Sequence, residues 1–370
     1  MSYFGESHST SIGLAADHIN RAGGIRGGSV VLVHRDTGVN PVQGVSAAEE
    51  LVNAQGVVAI VGALASGVTI PVATSVTIPN GILQISGAST APAITVLEDN
   101  DFLFRTALSD ASQGVVLAEL AEDLGYESAG ILYINNAYGE GLAAQFTESF
   151  AALGGTVTAS VPHEDSQPTF VSELEKAIEG DPDVLIAMSY QQAEVYLREA
   201  LEGDYADTFL FVDGTKIPQS FEVIGWDLLE GSYGTGPGFE ANPSTQAFID
   251  SYEEAYDKKP EHPFMNETYD AMVLIGLAAA KAGTTSDPAA IHYALRDVAN
   301  PPGEVVRPGV EGIKQAMQLI AEEKDINYEG AAGSVDLDEN GDVISGHIEV
   351  WKIEGGEIVS DRQVPVDLGQ

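Results

Sequence analysis

Short aliphatic runs, each bounded by glycine, proline or asparagine, alternate along this chain with segments of helical periodicity. Residues 29–34 (SVVLVH), 57–61 (VVAIV) and 81–85 (GILQI) read as strands buried on both faces. Before the first of them, Ile12, Ala15, Ala16 and Ile19 recur at three- and four-residue spacing until Gly23 and Gly24 stop the pattern, which predicts a helix. A second helix is predicted over 41–53, with Pro41 in its first turn behind Asn40.

After Asp110 the alternation starts again. Helices are predicted over 111–124, 139–153, 169–179 and 191–201, with strands over 129–134, 156–161, 184–188 and 209–212. Such alternation demands right-handed βαβ units and a mostly parallel sheet with helices on both faces. Beyond Gly236, Pro237 and Gly238 come helical patterns over 244–256, 267–282, 288–298 and 310–322, then antiparallel strands over 333–337, 346–353 and 357–364. The expected fold is α/β, with two doubly wound parallel-sheet lobes. One lobe takes residues 1–108 plus 237–331 and the other 109–236 plus 332–370. Three hinge crossings are expected, at 108–111, 234–238 and 331–334. The latter two are rich in glycine, which tolerates large dihedral changes.

The length of 370 residues suits two such lobes, and 44% hydrophobic residues suffice for two cores. Charge is the unusual quantity: 16 Lys+Arg against 56 Asp+Glu leave −40 at pH 7. That surface repels nucleic acid and anionic membranes, which require clustered basic residues. The acidic residues are dispersed (Glu49 and Glu50, Glu122 and Asp123, Glu253 and Glu254) and form no tail. Dispersed carboxylates fit a high-salt organism, where screening removes self-repulsion. There is no cysteine, and no run approaches the roughly 20 apolar residues of a membrane span. Met1, Ser2 and Tyr3 lead almost directly into a helix, so no signal peptide is read in this chain.

Catalytic signatures are missing: no G-x-S-x-G elbow, no H-E-x-x-H and no phosphate loop. The seven histidines lack ligand spacing. Residues 336–342 (DLDENGD) start like a calcium loop, but position twelve is His347 instead of a bidentate glutamate, so a tight hairpin turn is expected. No enzyme, metal or cofactor is expected. Binding residues are instead sought beyond the carboxyl ends of the strands, where open sheets hold ligands. Leu64 to Ser66, Gly87 to Thr90, Tyr138, Tyr190 and Asp213 all stand there. Ser66 ends a small-residue turn where a helix begins, suiting a carboxylate or an ordinary N-cap. Asp213 suits a ligand ammonium or the cap of the turn at Gly214. Singly each is unremarkable; their joint placement after successive strands in both series points to a site.

These segments resemble the type I periplasmic binding proteins, in the leucine/isoleucine/valine-binding branch. The resemblance is carried in order by INRAGGIRG (19–27), VGALASGVT (61–69), SGASTAP (86–92), FRT (104–106), YGEGLA (138–143) and LDENGDVISG (337–346). It implies an extracytoplasmic protein that captures an amino acid between its lobes and delivers it to the membrane permease of an ABC importer. It further implies a monomer with a lipid anchor in the full-length product. By the resemblance, Ser66 and the Thr90 amide would hold the ligand carboxylate. The Ala88 carbonyl, the Thr90 hydroxyl and Asp213 would hold the ammonium. Tyr138 and Tyr190 would close from the second lobe, and Phe4, Leu64, Ala65 and Phe264 would wall the side chain. Asp213 stands where branched-chain binders often carry the longer glutamate, and Phe4 where tyrosine is frequent. Family members open with a strand that this chain does not show, and its neighbours should then have unpaired backbone groups. A sensor or regulatory subunit on the same fold, reading a small amide, is the alternative function.

Overall fold

The computed structural model describes residues 2–368, leaving the side chains of Ser2 and Tyr3 aside. The chain opens with α1 (Ser2–Arg21), whose Leu14, Ala15, Ala16 and Ile19 face the core. The helix α2 (Pro41–Glu50) starts with Pro41 and an Asn40 side chain that accepts from Gln43 N at 3.0 Å. β1 (Ala59–Val61), α3 (Ser66–Val72), the single turn α4 (Ile78–Asn80), β2 (Leu83–Ser86) and β3 (Leu103–Arg105) follow. The three strands form a parallel sheet in the order β1-β2-β3. Every residue of β2 and β3 is buried, as fits strands covered on both faces.

Residues 29–34 form no strand, which corrects the first strand expected above. The segment has no regular structure and pairs with no strand among the described residues, and Val31 is 81% exposed. Its side chains have strand character, but a strand exists only through a ladder. Within the three-stranded sheet β1 is an edge, as β3 is on the other side.

The next series is α5 (Asp110–Asp123), β4 (Ser128–Ile134), α6 (Ala137–Ala152), β5 (Thr156–His163), α7 (Val171–Ala177), β6 (Val184–Met188), α8 (Ala193–Glu202), β7 (Phe209–Phe211), α9 (Pro218–Ile224) and β8 (Tyr233–Gly238). Here the βαβ expectation holds, with β8-β7-β6-β4-β5 all parallel. Ile131 of β4 and its register partner Ile186 of β6 are both fully buried. The segment 234–238, expected to cross between lobes, lies within β8: all of it pairs with β12, and Gly234 pairs also with Phe211 of β7. Gly234 lies where an added Cβ would meet the Trp351 ring at 2.3 Å.

Then come α10 (Pro243–Tyr256), α11 (Met265–Ala282), α12 (Pro288–Tyr293), α13 (Leu295–Ala299), β9 (Glu304–Val306), α14 (Val310–Ala321), β10 (Ile326–Gly330) and β11 (Gly333–Ser334). The reading missed β9 and β10, which form a small sheet with β11. Three- and five-residue strands between helices leave too little periodicity to detect. The apolar α11 runs through the core of the first lobe, with Tyr269, Val273, Leu274 and Leu277 fully buried. Finally β12 (Ser345–Glu354) and β13 (Glu357–Asp367) add antiparallel to β8, giving the order β13-β12-β8-β7-β6-β4-β5. The expected strand over 333–337 shrinks to β11 plus a single bridge from Leu337 to Val343. Residues 338–341 make a tight turn, in which Asp338 Oδ1 accepts from Asn340 N and Asp342 N.

Candidate functional site between the lobes

Five strands end at one cleft. From the first lobe, the loops after β1 and β2 bring Leu64, Ser66 and Ala88; from the second, the turns after β4, β6 and β7 bring Tyr138, Tyr190 and Asp213. Phe4 and His8 enter from α1, and Phe264 from the turn before α11. Gly214 completes the wall, and the space it encloses is about 20 Å³, room for about one water molecule, so an amino acid needs a wider cleft than this one.

The two first-lobe loops are fixed to one another by hydroxyls. Ser86 Oγ donates to the Ala63 carbonyl at 2.7 Å and accepts from Ser89 N at 3.0 Å. Thr69 and Ser89 share a 2.7 Å bond. Ser66 Oγ accepts from Ala91 N at 3.2 Å, leaving its proton to donate at the first residue of α3. Behind this loop lies Arg105, fully buried. Its Nη1 donates to the carbonyls of Thr90 (3.0 Å) and Ala91 (3.1 Å), and its Nε and Nη2 donate to Asp342 at 2.5 and 2.6 Å. The FRT segment thus supplies a buried guanidinium that grips the loop after β2 from behind.

Across the cleft, Asn136 caps α6 by accepting from Tyr138 N and Gly139 N. The Tyr138 ring then stacks on Tyr190, with centroids 5.3 Å apart and planes 12° from parallel. Tyr138 Oη and Gln113 Nε2 both donate to Asp213 Oδ1 at 2.8 Å. Gly214 permits this approach, since a Cβ there would lie 2.3 Å from the Ser189 carbonyl and 3.0 Å from Tyr138 Oη. Burial pushes the Asp213 carboxyl up to about 6, opposed by the bonds from Tyr138 and Gln113. Asp110, at the first turn of α5, is held well above the carboxylate range by burial and then by the charge of Asp213. Asp110 Oδ2 accepts from Thr90 Oγ1 at 2.8 Å, while Oδ1 is buried without a partner.

Of the ten residues singled out from the sequence, Phe4, Leu64, Ser66, Ala88, Tyr138, Tyr190, Asp213 and Phe264 share this wall. Thr90 and Ala65 do not line it. The Thr90 hydroxyl is turned to Asp110 because a buried carboxyl there claims it, and Ala65 packs as the N-cap position of α3. The reading missed His8, Gly214, Asp110 and Gln113. His8 stands four residues after Phe4 on one helix face, a spacing that could have revealed it. A larger groove of about 630 Å³ lies outside the cleft, between α1, α10 and the start of α14. It opens to solvent and carries Asp17, Glu254 and Glu311, without the converging buried groups of the cleft. Among the described residues no cluster of three or more His, Asp or Glu could hold a metal, and no helix is long and apolar enough to cross a membrane.

A family model described as periplasmic binding protein matches residues 1–326. The chain is 29% identical to the chemotactic signal transduction system substrate-binding protein BasB of Halobacterium salinarum, over 92% of this chain and 81% of that one. It is 30% identical to the leucine-, isoleucine-, valine-, threonine- and alanine-binding protein of Pseudomonas aeruginosa, over 79% of this chain and 78% of that one. The leucine-binding protein LivK of Thermotoga maritima superposes with a TM-score of 0.80 at 23% identity, over 97% of this chain and 94% of that one. A solute-binding protein of R. palustris in complex with benzoate gives 0.79 at 17% identity, over 98% of this chain and 94% of that one. The chain therefore belongs to the periplasmic binding proteins of type I, in the leucine/isoleucine/valine-binding branch.

Proposed function

We propose that this protein captures an α-amino acid between its lobes outside the cell and presents it to the permease of an ABC importer. The observation that carries the reading is Asp213, the sole acidic residue on the cavity wall, facing a lobe whose loops offer Ser66 and backbone amides. An ammonium neutralises the carboxylate, and the hydroxyl with the first-turn amides of α3 receives the ligand carboxylate. No lysine or arginine lines the cavity, so a simple aromatic or aliphatic acid would meet Asp213 without compensation. The ligand touches both lobes only when they are closed, so binding favours closure. A membrane anchor and a monomeric state accompany this reading.

A thermal-shift panel of amino acids and small amides tests it, because a ligand bound to the folded state alone raises the melting temperature. Stabilisation by one or more amino acids is expected, and Asp213→Asn should weaken binding by roughly 1.5–3 kcal/mol. Equal affinity of parent and variant would remove the ammonium contact. The likeness to BasB supports a second reading, delivery of the same ligand to a chemotaxis receptor. Loss of the gene then abolishes attraction to the ligand while uptake persists, whereas an importer subunit gives the reverse.

A further inference from the structure

Two donors converge on one oxygen of Asp213: Tyr138 Oη and Gln113 Nε2 each lie 2.8 Å from Oδ1. Tyr138 belongs to the cavity wall, whereas Gln113 does not and is 2% exposed. Gln113 stands on α5 one turn after Asp110. The next residue, Gly114, seats that helix close against α6, since a Cβ there would come within 2.6 Å of Gln145 Cγ. The packing of α5 on α6 thus brings an amide and a phenol to the same carboxylate oxygen.

Asp213 is 4% exposed, and a carboxylate so buried persists as an anion only if it accepts hydrogen bonds or meets a cation. Burial pushes it up to about 6, opposed by the bonds from Tyr138 and Gln113 and by the backbone amides of Gly214 and Asp213. The titratable groups facing it are Asp110 from α5, Tyr138 from α6 and Tyr190 after β6. Lys216, three residues on, is taken by Glu349. The side-chain partners of Asp213 are therefore both neutral. A neutral donor steadies the anion without cancelling its charge, whereas a lysine or arginine in its place would leave nothing for an ammonium to neutralise. Two donors also occupy Oδ1, so an ammonium is left with Oδ2.

We propose that Gln113 is a positioning residue for the amine contact: without touching the ligand, its amide holds the Asp213 carboxylate charged and fixes which oxygen an ammonium meets. This rests on the amino-acid reading above and adds how the acidic half of that site is maintained. Calorimetric titration with valine and with threonine between pH 5.5 and pH 8.5 tests it, on the parent and on Gln113→Met, which keeps the length but not the donor. With one donor to the anion gone, the midpoint of the affinity profile should rise by about one pH unit. Affinity should then be about fivefold lower than the parent's at pH 6 and within about threefold of it at pH 8.5. An unchanged midpoint, or a loss equal at every pH, is what a merely structural glutamine gives, and either overturns the proposal while the amino-acid reading stands. Gln113→Lys, which supplies a competing cation, should bind both amino acids about a hundredfold more weakly. Affinity like the parent's in that variant would contradict the need for a neutral donor, and it decides should Gln113→Met not fold. A parent that binds neither amino acid overturns both readings.

Discussion

Asp213 and Asp110 are both buried, and the charge of Asp213 adds to burial in raising the Asp110 carboxyl. Burial pushes Asp110 well above the carboxylate range, and it accepts from Thr90, while Asp213 takes the donors Tyr138 and Gln113. Asp213 titrates near 6, so its charge is present above that pH and lost as pH falls through it. The ligand ammonium stays protonated across this range, hence amino-acid affinity should drop about tenfold between pH 7.5 and pH 5. Calorimetry at both pH values checks this; Asp213→Asn should flatten the dependence, and a parent whose affinity is flat would deny Asp213 the role. Asp213, Tyr138 and Tyr190 were legible in the sequence because each follows a strand. Asp110 was not, since a helix's burial partners come from elements distant in the chain.

At the scale of elements, the ligand loop after β2 depends on the buried ion pair of Arg105 with Asp342. The guanidinium holds two carbonyls of that loop, and Asp342 comes from the turn before β12, so one pair ties the loop to the turn that leads into β12. Asp342→Asn leaves Arg105 buried without its counter-charge and should cost roughly 3–5 kcal/mol. Urea denaturation reads that loss, and a change below about 1 kcal/mol would show that the pair is dispensable. The FRT and DENGD segments were recognisable in sequence, but their pairing across 237 residues was not. The same limit explains residues 29–34. Their valines and leucine promise a strand, yet strand formation is decided by a neighbour, and β1 ends the sheet as its edge. The long parallel series from β4 to β7 was readable because β4, β6 and β7 are largely buried on both faces and each strand is separated from the next by a helix.

The whole molecule carries −40 of formal charge over a surface with few cations. Its self-repulsion acts through solvent, and added salt shortens the screening length from about 10 Å at 0.1 M to about 3 Å at 1 M. The melting temperature should therefore rise between these conditions, and a flat or falling value would remove the reading of this surface as an adaptation to salt.

The cleft itself is asymmetric. On the proposed reading, one lobe offers the Ser66 hydroxyl and the other the Asp213 carboxylate. An α-amino acid satisfies both at once. Calorimetric titration with valine, with isovalerate, which lacks the amine, and with isobutylamine, which lacks the carboxylate, separates these contributions. Valine should bind, and each fragment should bind at least about a hundredfold more weakly. Isovalerate binding as tightly as valine would contradict an amino-acid site and make this protein a receptor for simple carboxylic acids.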